Sequence, residues 1–106
     1  MKVIADLTVL PLGVGLSLSK YVAVCEKILS DAGLETRLHA NGTNVEGDLD
    51  AFFAAVKSCH ETLHAMGVPR ISTDIKVGTR IDKEQSMGDK VRSVETKLHP
   101  AGGGQT

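Results

Sequence analysis

The chain has 106 residues, 42% apolar and 24% charged, which fits one domain with one core and leaves no room for two. Twelve Lys and Arg against thirteen Asp and Glu give a formal charge of −1, so the footprint of a general nucleic-acid binder is missing, and one Tyr and two Phe make no stacking platform for single strands. No apolar run approaches the ~20 residues of a membrane span, the start does not read as a basic-then-apolar leader, and two cysteines make no disulfide framework. A cytoplasmic protein with reduced thiols is therefore expected.

Lys2 to Leu10 sets Val3, Ala5, Leu7 and Val9 against Ile4, Asp6, Thr8 and Leu10, which predicts a strand closed by Pro11 and Gly13-Val14-Gly15. A helix follows, with Ser17 or Ser19 as its cap and Gly33 as its stop. Its apolar stripe is Leu18, Tyr21, Val22, Cys25, Ile28, Leu29 and Ala32. Leu34–Ala40 and Thr43–Gly47 flank Asn41-Gly42, the signature of a hairpin whose type I′ turn takes positive φ at both central residues. That turn sets Ala40 against Thr43, His39 against Asn44, Leu38 against Val45 and Arg37 against Glu46. Asp48 caps a second helix with the stripe Leu49, Phe52, Phe53, Val56, Cys59 or His60, and Leu63, ended by Gly67 and Pro69. Arg70 to Ile81 predicts a fourth strand that outruns the first. Ser86, with Asp89 completing a capping box, opens a last helix striped with Met87, Val91, Val94 and Leu98. Pro100 stops it, leaving residues 1–98 as the domain and 99–106 as a disordered tail.

The order β-α-β-β-α-β predicts an α+β, ferredoxin-like split βαβ fold: a four-stranded antiparallel sheet of order 4-1-3-2, two helices on one face, and a short C-terminal helix. The apolar alternates face the helices. The other face carries Asp6, Thr8, Glu35, Arg37, His39, Asn44, Glu46, Ser72, Asp74 and Lys76, an unusually polar set for a sheet that could also simply be solvated.

Several motifs carry chemistry. His60-Glu61-Thr62-Leu63-His64 matches H-E-x-x-H, in which two His one helical turn apart bind zinc and the Glu activates water. The extended motif places its third ligand at Arg70, which cannot bind zinc, and Glu84 is a downstream substitute that no second motif supports. A histidine at the core border and another at the helix end explain the pattern more simply, and a zinc hydrolase is kept as the alternative function, with a purely structural oligomer as the third. Gly13-Val14-Gly15 lacks the third glycine of G-x-G-x-x-G, yet the loop from Gly13 to Ser19 presents backbone N–H groups able to hold an anion or a carbonyl. Cys25 and Cys59 fall on apolar stripes and read as buried structural thiols. Arg80-Ile-Asp-Lys-Glu84 reads as a solvated linker that could touch a neighbouring subunit.

Val9-Leu-Pro-Leu-Gly13, Ser17-Leu-Ser-Lys-Tyr-Val22, Gly42-Thr-Asn-Val-Glu-Gly47, Ile75-Lys-Val77 with Arg80-Ile-Asp-Lys83, and Lys90-Val-Arg-Ser-Val94 together resemble the small thiamine-binding protein family. The likeness spans about residues 1–98, and the Gly-Thr-x-hydrophobic-Glu-Gly stretch from Gly42 to Gly47 is its best marker. The resemblance implies a ferredoxin-like fold, homo-oligomers that are often tetramers, and non-enzymatic binding of thiamine or its hydroxymethylpyrimidine half, with no other cofactor.

Such a ligand needs a carboxylate or amide at the aminopyrimidine edge and negative charge near the thiazolium. The expected site is Glu46 at the pyrimidine with Asn44 beside it, Thr43 or Thr8 as hydroxyl partners, Asp6 for the cation, and Ser19 on the adjoining loop. Without a ligand role, Glu46 pairs across the strands with Arg37. Dimers paired through the fourth strand and assembled into a tetramer are expected, because that strand lies at an open edge.

Overall fold

Period-two alternation in the four strand segments buries one face of a sheet and leaves the other to solvent. The computed structural model describes residues 1–99. Its elements are β1 (Lys2–Leu12), α1 (Ser19–Asp31), β2 (Glu35–His39), β3 (Gly42–Asp48), α2 (Leu49–Ala65), β4 (Arg70–Thr79) and α3 (Met87–Leu98). The strands form one antiparallel sheet in the order β2-β3-β1-β4, the ferredoxin-like arrangement the element order requires. Pro100 and the following tail lie outside the described residues.

β1 runs past the proline expected to end it. Its pairing with β3 stops at Leu7, so from Thr8 onward it has β4 on one side only, and a proline without a donor is tolerated there. Pairing with β4 continues from Val3↔Thr79 to Leu12↔Arg70. β4 ends at Thr79, not Ile81, and does not overhang its neighbour.

The core lies between the sheet and the two long helices. Val3, Ala5, Leu7 and Val45 meet Leu29, Phe52, Ala55 and Val56 in one cluster. Tyr21, Cys25, Cys59, Leu63 and Val68 form a second around the far ends of the helices. Full burial of Phe52 alone contributes ~1.5–3 kcal/mol. Phe53, expected in the same stripe, is 44% exposed, because Ala55 and Cys59 continue the buried line from Phe52 and turn Phe53 outward. The thiols are free and buried as expected, and the Cys25 thiol beside Cys59, together with burial, pushes Cys59 far above the usual thiol range.

Helix ends follow local chemistry with one exception. Asp48 accepts from the amides of Asp50 and Ala51, both at 3.1 Å, and Ser86 and Asp89 form the capping box. α1, however, starts after Leu18 with no side-chain cap from Ser17 or Ser19. Leu18 packs against the second cluster, and that burial sets the first turn in place of a hydroxyl.

The hairpin register differs from the expected one by two positions: Leu38 faces Thr43, Arg37 faces Asn44 and Glu35 faces Glu46, with Ala40 and Asn41 in the turn. Asn41 does not take positive φ, so this is not the type I′ turn. Gly42 serves another purpose. A Cβ on it would stand 2.7 Å from Thr8 Oγ1, 2.8 Å from the Leu7 carbonyl and 3.2 Å from His39 Cε1. Close passage of three neighbours requires a glycine there. A two-residue slip preserves parity, so every side chain keeps its expected face.

Candidate functional site

The open face of the sheet gathers four of the six expected site residues. Asp6 and Thr8 come from β1, Asn44 and Glu46 from β3; Asp6 lies directly opposite Asn44, and Ile4 opposite Glu46. The other two are elsewhere. Thr43 points to the helix layer, is buried, and donates to Glu26 Oε2 at 2.8 Å. Ser19 opens α1 in that same layer.

Asp6 is held by a residue two strands away. His39, on edge strand β2, reaches over Gly42 and places Nε2 2.8 Å from Asp6 Oδ1. Its Nδ1 accepts the Asn41 amide at 3.3 Å, so Nε2 carries the proton and donates to the carboxylate. The Thr8 hydroxyl donates to the Asn41 carbonyl at 2.9 Å, which leaves its oxygen free only to accept. Asp6 stays half exposed, and its second carboxylate oxygen has no hydrogen-bond partner among the described residues.

Glu46 does not pair with Arg37. Its Oε1 accepts the Met87 amide at 2.6 Å, and Oε2 stands 3.5 Å from Lys2 Nζ. The carboxylate thus anchors the first turn of α3 against the sheet face, where an anion suits the unsatisfied amides of a helix start. Met87 is buried beneath that turn, whereas Val91, Val94 and Leu98 of the same stripe are 51%, 57% and 65% exposed. Nothing in the sequence pattern signalled this contact, which joins residues 41 apart.

Next to this anchor, where β1 begins and β4 ends, a cavity of about 410 Å³ opens on the same face. Ile4 and Gly78 form its floor, and Lys2, Arg80, Lys83 and Lys90 stand around it.

The H-E-x-x-H residues lie on the other side of the sheet. His60 Nε2 is 2.6 Å from Thr73 Oγ1, His64 Nδ1 donates to the Val68 carbonyl at 2.7 Å, and the two ring centres are 6.4 Å apart. Among the described residues, no three His, Cys, Asp or Glu side chains gather closely enough to hold a metal ion. No helix among them is long and apolar enough to cross a membrane.

The chain is thus a small ferredoxin-like domain whose polar sheet face is roofed in part by α3. A family model described as "Thiamine-binding protein" matches residues 5–95, and the chain belongs to that family. A UPF0045 protein of Synechocystis sp. is 58% identical over 98 residues, covering 92% of this chain and 81% of that protein. The crystal structure of a hypothetical protein from Methanocaldococcus jannaschii superimposes with a TM-score of 0.82 at 35% identity, over 89% of this chain and 96% of the other. A Thermotoga maritima protein, provisionally described as one of thiamine biosynthesis or salvage, shares the fold at a TM-score of 0.75 and 18% identity, over 89% of this chain and 99% of that one.

Proposed function

We propose that the chain binds thiamine or its hydroxymethylpyrimidine half on the open sheet face, without chemistry on it. The observation that carries this reading is the direct pairing of Asp6 with Asn44 on an exposed face, in a member of a family described as thiamine-binding. An aminopyrimidine presents a donor beside an acceptor. The Asp6 carboxylate receives the first, and the Asn44 amide supplies a donor to the second. One step along β1, Ile4 offers an apolar seat for the thiazolium, with the Glu46 carboxylate across from it. This exchanges the roles first expected of Asp6 and Glu46, because Glu46 has one oxygen committed to the Met87 amide. The name of the Thermotoga protein agrees with a thiamine-related role.

Calorimetric titration with thiamine tests the reading. Asp6→Asn and Asn44→Ala should each weaken binding about tenfold, the equivalent of one hydrogen bond to a charged or preorganised partner. Ser19→Ala should leave binding unchanged. Wild-type protein that ignores both thiamine and hydroxymethylpyrimidine overturns the proposal, and stoichiometric zinc lost on His64→Ala puts the hydrolase reading in front.

The same reading includes a homo-oligomer, a tetramer built from two dimers, each joined through β4. Two observations support it: β4 is paired on one side only, and the Val91, Val94 and Leu98 stripe of α3 is uncovered. Sedimentation that finds only an 11.2 kDa monomer at micromolar concentration refutes it.

A further inference from the structure

We propose that the cavity at the start of β1 and the end of β4 is an anion site that takes the phosphate group of a phosphorylated ligand, a phosphomonoester or diphosphate whose organic half lies on the Asp6–Asn44 floor. The inference rests on the proposed thiamine site for the organic half, while the anion site stands on its own observations.

The first observation is the shape of the floor. Ile4 faces Gly78 in the register, so β4 contributes no side chain beside it. Gly78 does not have positive φ, and a Cβ on it would meet only the Ile4 carbonyl, at 3.8 Å. Neither backbone conformation nor crowding demands a glycine, and in a strand it weakens the structure. What its missing side chain provides is the open floor of a cavity of about 410 Å³.

The second observation is charge. Lys2 from β1, Arg80 and Lys83 from the loop after β4, and Lys90 from the first turn of α3 converge on this space, with Glu84 as the one carboxylate in the lining. Arg80 is committed to Asp82 at 2.8 Å and to Gln85 at 2.9 Å, and Lys2 stands 3.5 Å from Glu46. Lys83 and Lys90 have no ion-pair partner among the described residues. In a chain of net charge −1, such a convergence does not follow from overall basicity. The third observation is alignment. Asp6, Ile4 and Lys2 succeed one another on the same face of β1 at ~6.7 Å intervals, so an organic ring at Asp6 places a terminal phosphate toward Lys2 and the cavity.

Titrations with thiamine, thiamine monophosphate, thiamine diphosphate and inorganic pyrophosphate at fixed ionic strength test the proposal. The proteins compared are wild type, Lys83→Ala/Lys90→Ala, Gly78→Val, and Lys20→Ala/Lys57→Ala, which removes the same charge from the helix layer. In wild type and the helix-layer variant, thiamine diphosphate should bind about tenfold tighter than thiamine, as charge-assisted bonds to phosphate allow. In the other two variants the preference should fall to within about twofold. Lys83 and Lys90 are exposed, so their variant carries the test if Gly78→Val fails to fold. Equal affinity for thiamine and its diphosphate in wild type overturns the anion site and leaves the thiamine reading standing. Pyrophosphate binding that is lost in Lys83→Ala/Lys90→Ala, with no response to thiamine, supports the anion site and removes the thiamine reading. A phosphate preference that survives in Lys83→Ala/Lys90→Ala overturns the inference.

Discussion

Replacing Glu46 with alanine separates the anchoring of α3 from the stability of the core. Glu46 Oε1 accepts the Met87 amide at 2.6 Å, and the side chain is only 12% exposed, so water replaces the carboxylate poorly. A hydrogen bond involving a charged group contributes ~1.5–3 kcal/mol net, and a carboxylate at a helix start ~0.3–1 kcal/mol through the dipole. These two figures describe overlapping physics, so their joint effect is about 2 kcal/mol, or roughly thirtyfold in a local opening equilibrium. The loss should stay local, because Phe52, Leu29, Val3 and the other core residues pack without Val91, Val94 or Leu98. Hydrogen exchange read residue by residue is the assay. The Lys90 amide, which bonds the Ser86 carbonyl at 3.1 Å, should exchange about thirtyfold faster in Glu46→Ala, while α2 amides keep their protection. Glu35→Ala, which removes the exposed carboxylate opposite Glu46, should change neither. Unaltered exchange in α3, or acceleration spread evenly over the whole chain, refutes the anchoring argument.

Gly42→Ala should destabilise the fold by ~1–3 kcal/mol in urea titration, because the new Cβ meets the Leu7 carbonyl and Thr8 Oγ1 below 3 Å; an unchanged midpoint contradicts the close-passage account. Phe52→Ala should cost ~3–5 kcal/mol by the same measurement, the range for deleting a fully buried ring, and a loss below 1 kcal/mol would mean that the helices collapse onto the space. The Ala51 amide holds the Asp48 carboxyl below its ordinary range, so its folded pKa lies under its unfolded one. Its stabilisation is then complete above the unfolded value of ~3.9 and disappears as pH falls through the folded value. Asp48→Asn keeps an acceptor at the cap and removes that titration, so it should lose less stability than wild type between pH 7 and pH 3; superimposable profiles argue against it.

Sheet order and faces were legible because strand alternation and helix stripes are local patterns. Asp6, Thr8, Asn44 and Glu46 share a face for that reason alone. The hairpin register was not legible, since Asn41-Gly42 satisfies the rule for positive φ while Gly42 is actually demanded by Thr8 and His39 passing beside it. Thr43 shows the limit at a single residue: its parity put it among the helix-facing positions, and only the arrival of Glu26 from α1 gives its hydroxyl a use there. The partner of Glu46 depended on where α3 docks. The Ser86–Asp89 box located the start of that helix but carried no information about the surface beneath it. Gly78 left no local signal beyond being a glycine in a strand, and its meaning emerges only beside Ile4.

The reach of His39 over Gly42 ties an edge strand to the sheet's interior by a route that bypasses their common neighbour. β2 is held by β3 along one side, and the imidazole adds a clip from above to Asp6 on β1. A guest that takes the other Asp6 oxygen shares the carboxylate with that clip, so occupancy of the open face and order at the hairpin tip draw on one group. The tip becomes an indicator: the His39 ring resonances and the exchange of the Asn41 amide should move in step with saturation, even though neither residue need touch the guest. A hairpin that loosens as the face fills would transmit occupancy to the outer edge of β2, the edge of the sheet farthest from β4.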